Sequence, residues 1–147
     1  MNRSAITLVL LLFLTACGPE KAQEQSVQVP ETAPVEADPK KGIAWFDFRS
    51  LCDGPRSQTD YIEIARWYPT IILSGVPALD EFHDNQARRF IALVDEFYDR
   101  RVKLVLSAEA PVQRLYIGER LAFEFQRTIS RLTEMRTPAF LGRPHLG

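Results

Sequence analysis

Charge of one sign is the first thing missing. Eighteen Lys and Arg stand against nineteen Asp and Glu, a net of −1 over 147 residues. No basic field is therefore present to hold a nucleic acid by its phosphates. Cysteine and histidine are scarce as well, two of each: Cys17, Cys52, His83 and His145. They are scattered and form no CxxC pair, whereas a structural zinc site needs about four clustered ligands. GxSxG is absent, so neither Ser74, which precedes Gly75, nor Ser107 is a nucleophile elbow. Internal repeats are absent too. What is there is 46% apolar and 25% charged, the composition of a globular chain long enough for one domain and a tail.

The tail comes first. Met1 to Ser4 is polar with one positive charge, Arg3, and Ala5 to Leu14 is an almost unbroken apolar run. Ten residues of helix rise about 15 Å, half a bilayer core, too short to span. The run closes on Leu14-Thr15-Ala16-Cys17, small residues before a cysteine. This order is that of a signal peptide over residues 1–16, and its last four residues resemble the lipobox of bacterial lipoproteins. Lipidation at Cys17 is the expectation, with several acyl chains anchoring the mature chain at the periplasmic face of a membrane. Without a working leader the chain stays in the cytoplasm. Residues 17–41 follow, with Pro19, Pro30, Pro34 and Pro39 among Glu, Gln, Ala and Val, and with no aromatic residue and no helical or strand period. Such a stretch buries too little apolar surface to offset its ordering entropy and reads as a disordered tether. As a flexible coil its 24 residues after Cys17 would reach about 27 Å, and as extended polyproline about 75 Å.

The domain occupies residues 42–141, with 142–147 as a short tail. Ile43–Phe48 reads as a strand by its aromatic content. Ser57 and Asp60 fit a capping box for a helix through Trp67. Thr70–Ser74 is a second strand, stopped by Gly75 and Pro77. Asp84 suits the cap of a helix reaching Arg101, whose apolar residues Ala87, Phe90, Ile91, Val94 and Phe97 or Tyr98 recur at three- and four-residue spacing. Val102–Ser107 follows as a β-branched strand. A strand, a long helix and a strand make a βαβ unit with parallel strands. Glu119–Met135 closes the domain as a helix with Leu121, Phe125, Ile129 and Leu132 on one face. The fold class is α/β, a small mainly parallel sheet with flanking helices.

Four blocks now carry a resemblance. They are Trp45-Phe-Asp-Phe48 with Leu51-Cys52-Asp53 and Asp60-Tyr61; Val76-Pro77 with Ala87-Arg88-Arg89-Phe90 through Asp95 to Arg100; Val102 to Pro111; and Phe123-Glu-Phe-Gln-Arg127 through Ser130-Arg131 to Met135. Together, in order and over about two thirds of the chain, they resemble the C-terminal region of the ZapE-type, AFG1-like P-loop ATPases. The resemblance implies a partial AAA-like architecture. It implies a family that uses ATP and magnesium, whose bacterial members are cytoplasmic and work with the cell-division machinery and whose mitochondrial relatives act in protein quality control. ATP binding requires GxxxxGK[ST], yet none of the seven glycines is followed by lysine. The acidic magnesium-site strand that precedes this region in the family is missing as well. No cofactor is expected for this chain by itself. Two readings stand: a non-catalytic accessory or interaction module, tethered to a membrane, or part of a split or truncated ATPase completed in trans by a P-loop partner of the division machinery.

Individual residues are weighed against plainer roles. Arg127 and Arg131 lie four apart on one helical face and would suit a γ-phosphate contact in trans, arginine's rigid fork matching a transferring phosphoryl group. The plainer role is an ion-paired face with Glu124 or Glu134. Arg88 and Arg89 suit a phosphate or partner contact, or a surface pairing with acids. Asp95 and Glu96 point about 100° apart on a helix and do not converge, so they belong to a solvated face. Cys52, between Leu51 and Asp53, reads as buried and inert. His83, beside Phe82, has no evident acid or serine partner. The aromatic group Trp45, Phe46, Phe48, Trp67 and Tyr68 is large for about one hundred residues. It fills the core or leaves an apolar patch for a partner.

Overall fold

The computed structural model describes residues 36–38 and 42–147. The expected leader, Cys17 and most of the tether lie outside the described residues. Strands β1 (Glu36–Asp38), β2 (Ile43–Asp47), β3 (Thr70–Val76) and β4 (Lys103–Ala108) form one sheet in that order. Strands β2, β3 and β4 are parallel, and β1 runs antiparallel to β2 with Glu36 opposite Trp45. The α/β class with a small mainly parallel sheet is the one found. Strand β1 is a departure, since it lies in the stretch read as tether. Three residues cannot carry a periodic signal, and this strand exists through its backbone pairing to β2.

The helices are α1 (Phe48–Cys52), α2 (Gln58–Trp67), α3 (Asp84–Asp99), α4 (Ala122–Glu134) and α5 (Pro138–Leu141). Helix α2 connects β2 to β3, and α3 connects β3 to β4. Two right-handed crossovers advancing the same way across a sheet place both helices on one face, and α2 packs on α3. Burial alternates accordingly. Ala44, Phe46, Ile71 and Leu73 lie fully under the helices, whereas Trp45 and Val105 point the other way and are exposed. Phe90 of α3 centres the core, its ring 6.0 Å from Phe48 and 6.2 Å from Phe125.

Several boundaries differ from the sequence expectation, each for a local reason. Strand β2 stops before Phe48 because the Asp47 carboxylate accepts the Arg49 N–H at 2.9 Å and starts α1. Strand β3 runs on through Gly75, which takes φ +71° where the register with β4 shifts; glycine adopts that region without a Cβ penalty. Asp84 does not cap α3. It is the first helical residue, and its carboxylate accepts the Tyr116 hydroxyl at 2.7 Å. Helix α3 ends at Asp99, and Arg101, at φ +59°, turns the chain into β4. Residues 119–121 stay outside α4, the Leu121 N–H donating to Tyr116 Oη at 3.2 Å. Helix α2 matches its expectation, with both arms of the Ser57–Asp60 capping box formed. The last six residues are not a free tail: Leu146 N–H donates to Arg100 O at 3.0 Å and the His145 ring to Ala65 O at 2.6 Å.

Candidate functional site

Open parallel sheets bind ligands beyond the carboxyl ends of their strands, and the described residues have a cleft there. It holds about 220 Å³ and is lined by Phe48 and Arg49 after β2, Gly75 and Pro77 at the end of β3, and Glu109 after β4, with Asp53, His83 and Gln86 from the flanking segments. Its polar groups largely bind one another or the backbone. Gln86 Nε2 donates to Asp53 Oδ1 at 3.3 Å, and the Ala78 N–H donates to Glu109 Oε2 at 3.2 Å. His83 does have an acid, contrary to the sequence reading: its Nδ1 lies 2.6 Å from Asp80 Oδ1. That hydrogen bond holds the Asp80 carboxyl below its ordinary range.

The helix starts at this edge are already occupied by acids. Asp47 accepts the Arg49 N–H, Asp80 accepts the Phe82 N–H at 3.0 Å, and Asp84 sits in the first turn of α3. A phosphate binds a helix start through free N–H groups and an unopposed positive dipole end. Here carboxylates take the N–H groups and add negative charge, and no glycine-rich turn opens a helix. Among the described residues, the helix starts at this edge therefore offer no phosphate cradle of that kind.

Arg127 and Arg131 lie together on α4, facing α3. Asp95 receives both: Arg127 Nη2 at 2.6 Å on one oxygen, and Arg131 Nη1 on the other. Arg131 also lies 3.8 Å from Asp99 and stacks over the Tyr98 ring, its guanidinium carbon 4.9 Å from the centroid. The partners are therefore on α3, neither Glu124 nor Glu134 of their own helix, and Asp95 is not a freely solvated charge. Glu134 instead accepts the Tyr98 hydroxyl at 2.6 Å. A sequence signal existed: Asp95 and Asp99 have the same four-residue spacing as Arg127 and Arg131, so two complementary faces could have been matched.

Arg89 and Arg88 separate. Arg89 Nη1 donates to Cys52 O at 3.2 Å, bracing α1 against α3, while Arg88 points to solvent. Cys52 is fully buried, and burial pushes its thiol far above the ordinary range, as expected for an inert cysteine. The aromatic group divides: Phe46 and Phe48 are core, whereas Trp45 is 40% and Trp67 77% exposed.

A family model described as AFG1-like ATPase matches residues 5–144. The match therefore takes in the whole apolar run and the tether as well as the four blocks. Cell division protein ZapE of Escherichia coli is 42% identical over 135 residues, covering 92% of this chain and 36% of that protein. Lactation elevated protein 1 homolog B of Danio rerio is 35% identical over 130 residues, covering 67% of this chain and 26% of that protein. No solved structure matches. The chain spans between about a quarter and a third of the length of these curated relatives. With a family model matched over nearly its whole length, this chain belongs to the AFG1-like ATPase family.

Proposed function

We propose that this domain is a non-catalytic accessory module of an AFG1-like ATPase of the cell-division type, acting by contact with a polypeptide that carries the nucleotide site. One observation carries the reading: 92% of the chain aligns at 42% identity with a cell division protein, yet the chain contains no phosphate loop. The acids at its helix starts support the same reading. A role for Arg127 or Arg131 at a partner's γ-phosphate would require that arginine to leave its oxygen of Asp95, and in the present reading the pair holds α4 on α3. The test pairs two titrations. The isolated chain binds no ATP at millimolar concentration, and the nucleotide-binding remainder of the Escherichia coli relative changes its rate of ATP hydrolysis when this chain is added. Micromolar ATP binding by the isolated chain, or a rate indifferent to its addition, refutes the proposal.

A second reading rests on the order Arg3, apolar run, Leu14-Thr15-Ala16-Cys17. In it the domain is a lipoprotein tethered at the periplasmic face through Cys17, away from ATP, and serves as an interaction module there. Mass spectrometry of membrane-extracted protein would then find an acylated N-terminal Cys17. An intact Met1 on cytoplasmic protein removes this reading and leaves the first.

A further inference from the structure

Parallel sheets are buried on both faces, because crossover helices normally cover each side. Here the described helices cover one. On the other face the register aligns Trp45, Ile72 and Val105 as neighbours across β2, β3 and β4, an apolar row over all three parallel strands. Trp45 is 40% and Val105 55% exposed. The Trp45 indole N–H donates to Ser74 Oγ at 2.9 Å, which lays the ring along the sheet toward β3. Ile43, Thr70 and Lys103 form the next row, and the Lys103 ammonium is drawn away to Arg143 O at 2.8 Å. Within the three parallel strands the Trp45–Ile72–Val105 row carries no charge, and Glu36 of β1 stands opposite Trp45 at its end. Strand β4 is also the last of the sheet among the described residues, and no described strand pairs with its outer edge.

We infer that this bare face is a docking surface, and that its occupant is the nucleotide-binding part of an AFG1-like ATPase. Two observations select that occupant. About two thirds of the Escherichia coli protein lies outside the matched stretch, which covers 36% of it. The family is named for ATP hydrolysis, and this sequence holds no GxxxxGK[ST], so the nucleotide is assigned to chain outside that stretch. A folded neighbour of this kind supplies the apolar layer the sheet lacks, and Trp45 is the side chain best suited to anchor it, as large rings in the centre of an interface usually are. The inference rests on the function proposed above and names the surface through which it works.

The test uses the full chain with Trp67→Phe, so that Trp45 is its one tryptophan, and as probe the separately produced remainder of the Escherichia coli relative, with ATP and magnesium. Mixing should shift Trp45 fluorescence in a saturable way with Kd below about 10 µM, and Val105→Lys should weaken binding at least tenfold with unchanged circular dichroism and melting temperature. Phe123→Lys, exposed on α4 away from this face, should leave binding unchanged. Equal binding by the Val105→Lys chain overturns the inference, as does the absence of saturable binding. So does a monomer in which Trp45 is already shielded from acrylamide, which would mean that residues 1–35 of this chain cover the face, or a dimer that Val105→Lys dissociates. If the probe docks through this face but its ATP turnover does not change, the docking stands and the proposed function fails. If turnover responds equally to the Val105→Lys chain, the reverse holds.

Discussion

Asp95 shows how a single carboxylate can hold two helices together. It takes a guanidinium on each oxygen, and the two arms differ in setting: the Arg127 side chain is 57% exposed and that of Arg131 22%. Solvent screening weakens the outer arm, while the inner one has Tyr98 and Asp99 behind it. Asp95→Asn should therefore destabilise the domain by about 1 kcal/mol in urea unfolding. Double-mutant cycles should give a larger coupling for Asp95–Arg131 than for Asp95–Arg127. The tyrosines supply a second test at this scale. Tyr98 is raised from 10.0 first by its hydrogen bond to Glu134, and Tyr116 first by burial and then by Asp84. Burial raises Tyr61 as well, and its hydroxyl donates to Leu51 O at 2.8 Å. Each fold-raised phenol contributes stability that is complete below pH 10 and is lost as pH rises through its folded value. Phenolate absorbance should report these three rings ionising later in native than in unfolded protein, with stability falling in the same alkaline range. Three phenolates appearing at the unfolded pH would contradict this.

At the scale of elements, the long periodic segments were legible and the short ones were not. Helix α3 announced itself through Ala87, Phe90, Ile91, Val94 and Phe97, all of them buried, and α2 through its capping box. Helices α1 and α5, of five and four residues, are too short for a period. They form because Asp47 and Thr137 cap them and because Phe48, Leu51 and Phe140 reach the core. Gly75 is the sharpest case. Read as the end of a strand, it lies inside one, at a positive φ, with Asp47 Oδ2 only 3.3 Å from where a Cβ would stand. Gly75→Ala should destabilise by about 1–2 kcal/mol from the left-handed backbone cost. The pressure on Asp47 adds to that, loosening the α1 cap. Thermal melts read the first effect, and the amide shift of Arg49 reads the second. A melt unchanged from wild type would mean that the strand re-forms without the positive φ.

Over the described residues, two crossovers in one direction give two layers, the sheet and the helices on one of its faces, with no described helix on the other. The core therefore depends on one layer of contacts, and Phe90, between Phe48 and Phe125, is its centre. Phe90→Ala should cost about 3–5 kcal/mol, enough in a domain of ordinary marginal stability to leave a large unfolded fraction. Calorimetry should record a broad or missing transition.

What the sequence determined by itself was the class of fold, the βαβ order, the family and the lack of a phosphate loop. All of these are written in local period, in spacing or in motif, and none needs knowledge of which distant residues meet. What only the tertiary structure decided was pairing across distance. It brought Asp95 to Arg127 and Arg131, Arg89 to Cys52, and β1 to the edge of β2. It also decided that Trp45 lies outside and Phe46 inside. Alternation along a strand says that neighbours face opposite ways, but which face is covered depends on the direction the crossovers take. That direction is a property of the assembled sheet, and no residue carries it alone.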